Sequence, residues 1–222
     1  MQPKNPNNDL KNGHVWIAGM SGSGKTYHTQ NTLIKPSDRV IIFDPLGDYT
    51  GIKIGSTVVR TYRSFETFVQ AVFAARKTKQ SFKIAWHPNK RRKEKWKDLD
   101  EFCRLIWAIG DGSYSHPIKV ICEELASNSM NTQKTSPYHE ELLGMGRKFN
   151  IHTINCFQRG QSVSKTMIDN CHTCVIMMQK TTKSARYLED LTGIPWKTID
   201  DIEEYQHILQ VGKKWTASKK PR

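Results

Sequence analysis

The residues best equipped for chemistry stand near the start of the chain. Gly19-Met20-Ser21-Gly22-Ser23-Gly24-Lys25-Thr26 matches G-x-x-x-x-G-K-[ST] in full, after a short apolar run and before a helix-like segment. Glycines at these positions let the backbone wrap a phosphate, with consecutive N–H groups turned inward at a helix N-terminus. Lys25 would reach the β- and γ-phosphates of ATP, and the Thr26 hydroxyl would hold Mg²⁺. Two acids come next. Ile118-Lys119-Val120-Ile121-Cys122 runs into Glu123-Glu124, which puts two carboxylates at the C-terminal end of a core strand, where ligands sit in open α/β sheets. The first can hold the Mg²⁺ shell and the second can polarise water for attack on the γ-phosphate. A hydrolase needs that second carboxylate, whereas a small-molecule kinase does better to keep water out. A third polar group follows another apolar run: Ile151–Cys156 leads into Phe157-Gln158-Arg159-Gly160. If this strand neighbours the first one, the Gln158 amide lies beside the glycine-rich loop and can bond the γ-phosphate or the attacking water. Otherwise it caps a surface turn.

These side chains need a scaffold, and the hydrophobic pattern supplies one. Short apolar runs at 14–18, 40–43, 82–86, 118–122, 151–156, 173–178 and 206–211 read as strands, with another expected over 57–62. Between them lie helices. One runs from Thr26 to Lys35 and ends before Pro36. A second is capped by Ser64 and carries Phe65, Phe68, Val69, Val72 and Phe73 as one stripe. A third is capped by Asp98, with Leu99, Phe102, Cys103, Ile106 and Ile109 on one face. Ser136-Pro137 opens a fourth in the favoured cap-then-proline order. A fifth covers about 183–192, with Gly193 at its C′ position. Strands alternating with amphipathic helices imply an α/β fold with a mostly parallel sheet covered on both faces.

The 222 residues suit one domain with a full core, and 37% hydrophobic against 25% charged residues excludes a disordered acidic chain. No run approaches the ~18 apolar residues of a spanning helix. The opening MQPKNPNNDLKNG has no apolar stretch of the kind a secretory signal needs. Residues 1–13 read as a flexible arm, 14–212 as the folded domain and 213–222 as a basic tail. Five scattered cysteines fit a reducing compartment. Cys171 and Cys174 have C-x-x-C spacing without a second ligand pair, so core packing is expected, on opposite faces of a strand. His14, His152 and His207 are expected to be structural, and no metal beyond nucleotide-bound Mg²⁺ is foreseen.

The formal charge of +13 is concentrated: 90–97 holds six bases and one acid, 213–222 five bases and no acid, and the other 204 residues carry only +3. Lys90, Arg91, Arg92, Lys93, Lys95 and Lys97, in a basic loop over 88–97, and Lys213 and Lys214 can neutralise nucleic-acid phosphates. Trp96 and Trp215 offer faces for exposed bases. The plainer alternative is a solvated loop and tail.

In this order the pieces resemble the FtsK/HerA superfamily of DNA-pumping ATPases, over roughly residues 14–178. The resemblance is carried by GMSGSGKT (19–26), IIFDPLGDY (41–49), VICEE (120–124), GRKFNIHTINCFQRG (146–160) and SKTMIDNCHTCVIMM (164–178). Two features depart from the family pattern: the usual Asp-Glu pair is Glu123-Glu124, and the Thr and Pro of a T-Q-R-P-like ending are replaced around Gln158-Arg159. The resemblance implies a RecA-like P-loop NTPase of the ASCE type, with Lys25 and Thr26 on nucleotide and metal, Glu124 activating water and Gln158 sensing the γ-phosphate. Arg147 becomes the candidate arginine finger for a neighbouring subunit, its alternative being a cation offsetting a helix C-terminus. Asp44 matches a family feature with no chemistry assigned to it. Within the superfamily the chain most resembles the compact packaging ATPases of tailless, membrane-containing icosahedral viruses. That implies an ATP-hydrolysing motor packaging double-stranded DNA into a preformed capsid, as a ring oligomer (a hexamer is one such ring), with capsid vertex proteins as partners. It would work at the virion's packaging vertex and in the host cytoplasm. An assembly or secretion ATPase and a small-molecule kinase are the alternatives, the latter without an arginine-rich lid here.

Overall fold

The computed structural model describes residues 2–78, 80–89 and 92–218. Its strands are β1 (Val15–Ala18), β2 (Arg39–Phe43), β3 (Lys53–Ile54), β4 (Thr57–Val58), β5 (Arg60–Tyr62), β6 (Phe82–Trp86), β7 (Ile118–Cys122), β8 (Ile151–Phe157), β9 (Thr173–Met177), β10 (His207–Val211) and β11 (Lys214–Ala217). The helices are α1 (Lys25–His28), which continues as a π-helical turn over Thr29–Leu33, α2 (Phe65–Arg76), α3 (Trp96–Ala108), α4 (Leu125–Asn128), α5 (Pro137–Met145), α6 (Lys165–Asp169), α7 (Thr182–Thr192) and α8 (Trp196–Asp200). Nine strands make one sheet in the order β11-β10-β9-β1-β8-β7-β2-β6-β5, and β3-β4 is a separate ribbon. From β9 to β5 every pairing is parallel, while β10 and β11 add an antiparallel edge.

β2 and β6 are buried along their whole length, as strands covered on both faces must be. Ile41 and Phe43 point into the larger core with residues of α2, α3, α5, α6, α7 and α8. Val40 and Ile42 point the other way, towards Ile34, Tyr49 and Ile54. Helices therefore cover both faces, but unequally: only α1 and its π-turn, with the β3-β4 ribbon, close the second face.

Several elements differ from the sequence pattern. The run 57–62 is not one strand. Val59 is buried and gives its N–H to the Ile52 carbonyl at 2.8 Å, so the chain pairs with β3 before it and with β6 after it. On α2 the stripe is Phe68, Val72 and Ala75, and Phe73 is 39% exposed, one step round the helix. α3 begins at Trp96, so Asp98 is not its cap. It lies in the first turn and pairs with Arg92 (Nε to Oδ1 3.2 Å), a carboxylate favoured near the positive helix end.

Residues 2–13 are docked rather than loose. Lys4 N–H bonds Gly110 O at 3.0 Å, Asn7 N–H bonds Lys148 O at 2.8 Å, and Trp107 Nε1 donates to Gln2 Oε1 at 3.0 Å. A polar arm with few apolar side chains has found backbone partners instead of a core. The basic tail is likewise shorter than expected. A two-residue loop, Gly212-Lys213, turns the chain back so that Lys214 pairs with Val211, which makes Lys214–Ala217 an edge strand.

All five cysteines are free. Cys171 and Cys174 pack against the same core rather than opposite faces, because Cys171 lies in the turn before β9, outside the strand alternation. His14 is structural: its Nδ1 meets the Thr153 N–H at 3.0 Å, and burial pushes its pKa down to about 3. Among the described residues no helix is long and apolar enough to cross a membrane.

Candidate active site

Parallel pairing brings the C-terminal ends of β1, β2, β7, β8 and β9 to one end of the sheet, and the chemistry-bearing residues collect there. The loop from Gly19 to Gly24 is tied at its root to both neighbours: Gly19 N–H bonds Phe157 O at 3.3 Å and Met20 N–H bonds Met178 O at 2.9 Å. Gly22 and Gly24 have φ of 81° and 93°, the left-handed region that glycine enters without a Cβ penalty. Lys25 Nζ donates to Gly19 O at 2.8 Å and Met20 O at 3.1 Å, so without a phosphate the ammonium closes the loop on itself. The Ser23 hydroxyl, buried under the loop, is left without a partner.

β7 delivers the carboxylates. Glu123 N–H still bonds Phe43 O at 3.2 Å, so this residue continues the sheet, and its side chain is buried. Tyr49 Oη, fully buried 74 residues away in sequence, donates to Glu123 Oε1 at 2.8 Å. Asp44 makes that reach possible. Its Oδ1 accepts the N–H groups of Gly47 and Asp48, each at 2.9 Å, and its Oδ2 accepts the Tyr49 N–H at 3.0 Å. With Gly47 at φ 87°, the turn folds tightly and aims Tyr49 inward. This gives the Asp44-Pro45-Leu46-Gly47-Asp48 turn a job that its sequence alone did not reveal: it supports the first acid of the pair. Burial pushes the Glu123 carboxyl up to about 7, opposed by the Tyr49 hydroxyl and by Lys25. The same burial holds the Tyr49 hydroxyl well above its usual value, so it remains a donor.

Glu124 breaks the strand. Its φ of 53° is left-handed, and its carbonyl accepts Asn128 Nδ2 at 2.7 Å as α4 begins. Such a conformation costs a non-glycine residue about 1–3 kcal/mol and persists where surrounding structure enforces it. In an extended strand Glu123 and Glu124 would face opposite ways. The left-handed turn instead lets both line one cavity with Lys25, Thr26 and Gln158.

Gln158 is where the sequence reading placed it conditionally. β8 is the direct neighbour of β1, Ala18 pairs with Phe157, and the next residues on each strand are Gly19 and Gln158. The shared cavity has a volume of about 590 Å³, room for a nucleoside triphosphate. Thr26 and Glu123 give it the oxygen donors that Mg²⁺ takes, and no cluster of three or more His, Cys, Asp or Glu among the described residues forms a separate metal site. Asp48, Tyr27 and Tyr205 also line it and went unnoticed in the sequence. Arg159 was passed over too. It is exposed at the same end, beside Gln158, Gln179 and Lys180 around a second cavity of about 160 Å³.

Other expected residues are elsewhere. Arg147 precedes β8, so the length of that strand, about 23 Å for seven residues, separates it from its own phosphate loop. Its Nη1 donates to the carbonyls of Asn8 (2.9 Å) and Leu10 (2.7 Å), clamping the N-terminal arm. Lys90 and Arg91 lie outside the described residues. Arg92 is paired with Asp98 and Glu101, and Lys97 with Glu94, so these two cations are partly neutralised, whereas Lys93 and Lys95 are exposed. This segment leaves β6 at the phosphate-loop end, four strand spacings or about 19 Å from β1. Lys213 and Lys214 sit at the opposite end, beside the start of β9.

The Asp44–Tyr49–Glu123 support predicts an order of stability losses. Tyr49→Phe removes one buried hydrogen bond, worth about 1 kcal/mol, or about 2–4 °C in Tm for a chain this size. Asp44→Ala strands three N–H groups and should lower Tm by more. Thermal unfolding followed by circular dichroism checks the order; a wild-type Tm for Asp44→Ala would contradict the support.

Comparison with known proteins gives the family and the fold. The family described as the central domain of the helicase HerA matches residues 7–137, a span holding the phosphate loop, the Asp44 turn and both carboxylates but ending before Gln158. Protein P9 of Pseudoalteromonas phage PM2 is 26% identical over 216 residues, covering 95% of this chain and 91% of P9. In fold, the chain is similar to the genome packaging NTPase B204 of Sulfolobus turreted icosahedral virus 2 in complex with ATP-gammaS. The TM-score is 0.71 at 13% identity, over 94% of this chain and 97% of that one. It is also similar to the bacterial conjugative coupling protein TrwB, with a TM-score of 0.60 at 11% identity over 92% and 83%. The fold is that of a P-loop NTPase.

Proposed function

This chain belongs to the HerA central-domain family, and from that premise we propose that it is an ATP-hydrolysing motor that moves double-stranded DNA. The observation that carries the reading is the convergence of Lys25, Thr26, Glu123, Glu124 and Gln158 on one cavity. A bound ATP supplies the electrophilic γ-phosphorus, and Thr26 and Glu123 would hold Mg²⁺, which would offset the charge of the phosphate oxygens. Lys25 exchanges its loop carbonyls for phosphate oxygens. Glu124, half-buried at the strand end, takes a proton from the attacking water. The Gln158 amide, one strand over, bonds that water or the γ-phosphate and so registers hydrolysis.

Arg147 is too far from its own phosphate loop to act there, so the nucleotide it can serve is a neighbour's. A ring, for example of six subunits, follows from that role. The fold shared with the packaging NTPase B204 supports a viral genome entering a preformed capsid as the cargo. Capsid vertex proteins would then be partners, and the virion vertex and host cytoplasm the places of work. Lys93 and Lys95 are the exposed cations best placed to meet DNA near the nucleotide end.

ATPase activity measured with and without long duplex DNA, across a salt series, tests the motor. Strong stimulation that fades as salt rises is expected, because phosphate contacts release counterions. Absence of stimulation at every salt concentration would overturn DNA translocation and point to an assembly ATPase.

A further inference from the structure

The cavity holds two side chains that phosphate chemistry does not use. Tyr27 directly follows Thr26 and is 65% exposed; Tyr205, between α8 and β10, is 55% exposed. Their ring centroids are 6.5 Å apart with planes at 76°, so together they offer a face and an edge. Tyr205 reaches this position at a cost to its backbone, with φ of 63°, a left-handed conformation that side-chain-bearing residues seldom keep without a reason in the surroundings. Its ring also lies against the phosphate loop. A Cβ at Gly24 would stand 2.9 Å from Tyr205 Cδ1, so the last glycine of the motif leaves room for this aromatic as well as for phosphate. Large aromatics are normally covered, as Tyr49 is; these two are exposed and line the cavity that also holds the phosphate loop and the carboxylates.

We propose that Tyr27 and Tyr205 form the nucleobase subsite, where a purine stacks on one ring and meets the edge of the other while its phosphates occupy the Gly19–Thr26 loop. The proposal rests on the nucleotide-binding reading above and adds where the base is held. Stacking recognises the aromatic surface of the base, so it contributes to affinity for a nucleotide and nothing to affinity for a bare polyphosphate.

Isothermal titration of the full chain with the non-hydrolysable ATP analogue AMPPCP and with tripolyphosphate, both with Mg²⁺, separates the two contributions. Wild type should bind AMPPCP more tightly than tripolyphosphate. Tyr205→Ala should weaken AMPPCP by about 5- to 100-fold, the range expected for loss of one stacked base. It should leave tripolyphosphate unchanged, and Tyr205→Phe should restore AMPPCP affinity. Equal wild-type affinity for the two probes overturns the base subsite and leaves the phosphate loop standing. An equal loss of both probes in Tyr205→Ala assigns the ring a supporting role under Gly24 and also overturns the proposal. Binding of neither probe to wild type overturns the subsite together with the ATPase reading.

Discussion

Glu124→Gln should cut steady-state ATP turnover by about 10²–10⁴-fold, the usual worth of a positioned general base. AMPPCP affinity should stay within about twofold. The two acids that end β7 are not equivalent. Glu123 is buried, bonded by Tyr49 and set in line with the sheet. Glu124 is half-buried, swung out by its left-handed backbone, and its side chain opens to the cavity. A fixed, buried carboxylate suits a metal shell, whereas one that meets solvent suits water activation. Glutamine preserves size and hydrogen bonding but cannot accept the proton, so binding survives while chemistry stops. Phosphate release and calorimetry on the same preparation read the two effects separately. Turnover above half of wild type would move the base role to another group.

What the sequence revealed and what it hid divide along a physical line. Placement set by neighbouring residues was legible: the phosphate loop, the carboxylate pair after an apolar run, and Gln158 given the β1–β8 adjacency that the fold supplies. Placement that depends on contacts between distant segments was not. Tyr49 bonds Glu123 across 74 positions, and nothing in the spacing of the Asp44 turn names its target. The same holds for the arm. Its polar composition suggested looseness, but composition cannot show that Arg147 offers two donors to its carbonyls. Edge pairing misled in the other direction. A run rich in lysine read as tail, yet Gly212-Lys213 closes a hairpin, and the basic charge of β11 suits an exposed edge that must not pair further. Net charge singled out two basic segments as candidates for contacting nucleic acid. The fold instead separates them, with 92–97 at the nucleotide end and Lys213-Lys214 at the far end, so one surface cannot use both in the same way.

Lys25→Ala should show the opposite signature to Glu124→Gln, losing binding as well as turnover. The ammonium is the one cation the motif places in the cavity, and it already donates to two backbone carbonyls, Gly19 O and Met20 O. Phosphate must compete with those bonds, so the lysine lends the loop its shape when empty and its charge when filled. Removing charge-assisted bonds of about 1.5–3 kcal/mol should weaken AMPPCP by about 10- to 100-fold. Removing the donor from the transferring phosphoryl group should cost a further factor of about 10²–10³ in turnover. Lys25→Arg is not expected to rescue either loss, because a planar fork cannot replace a compact ammonium inside a loop this tight. Affinity measured by calorimetry and turnover by phosphate release decide the matter. A Lys25→Ala variant that kept wild-type affinity would mean that the backbone N–H groups of residues 19–26 suffice to hold the phosphates, with the lysine serving the chemical step alone.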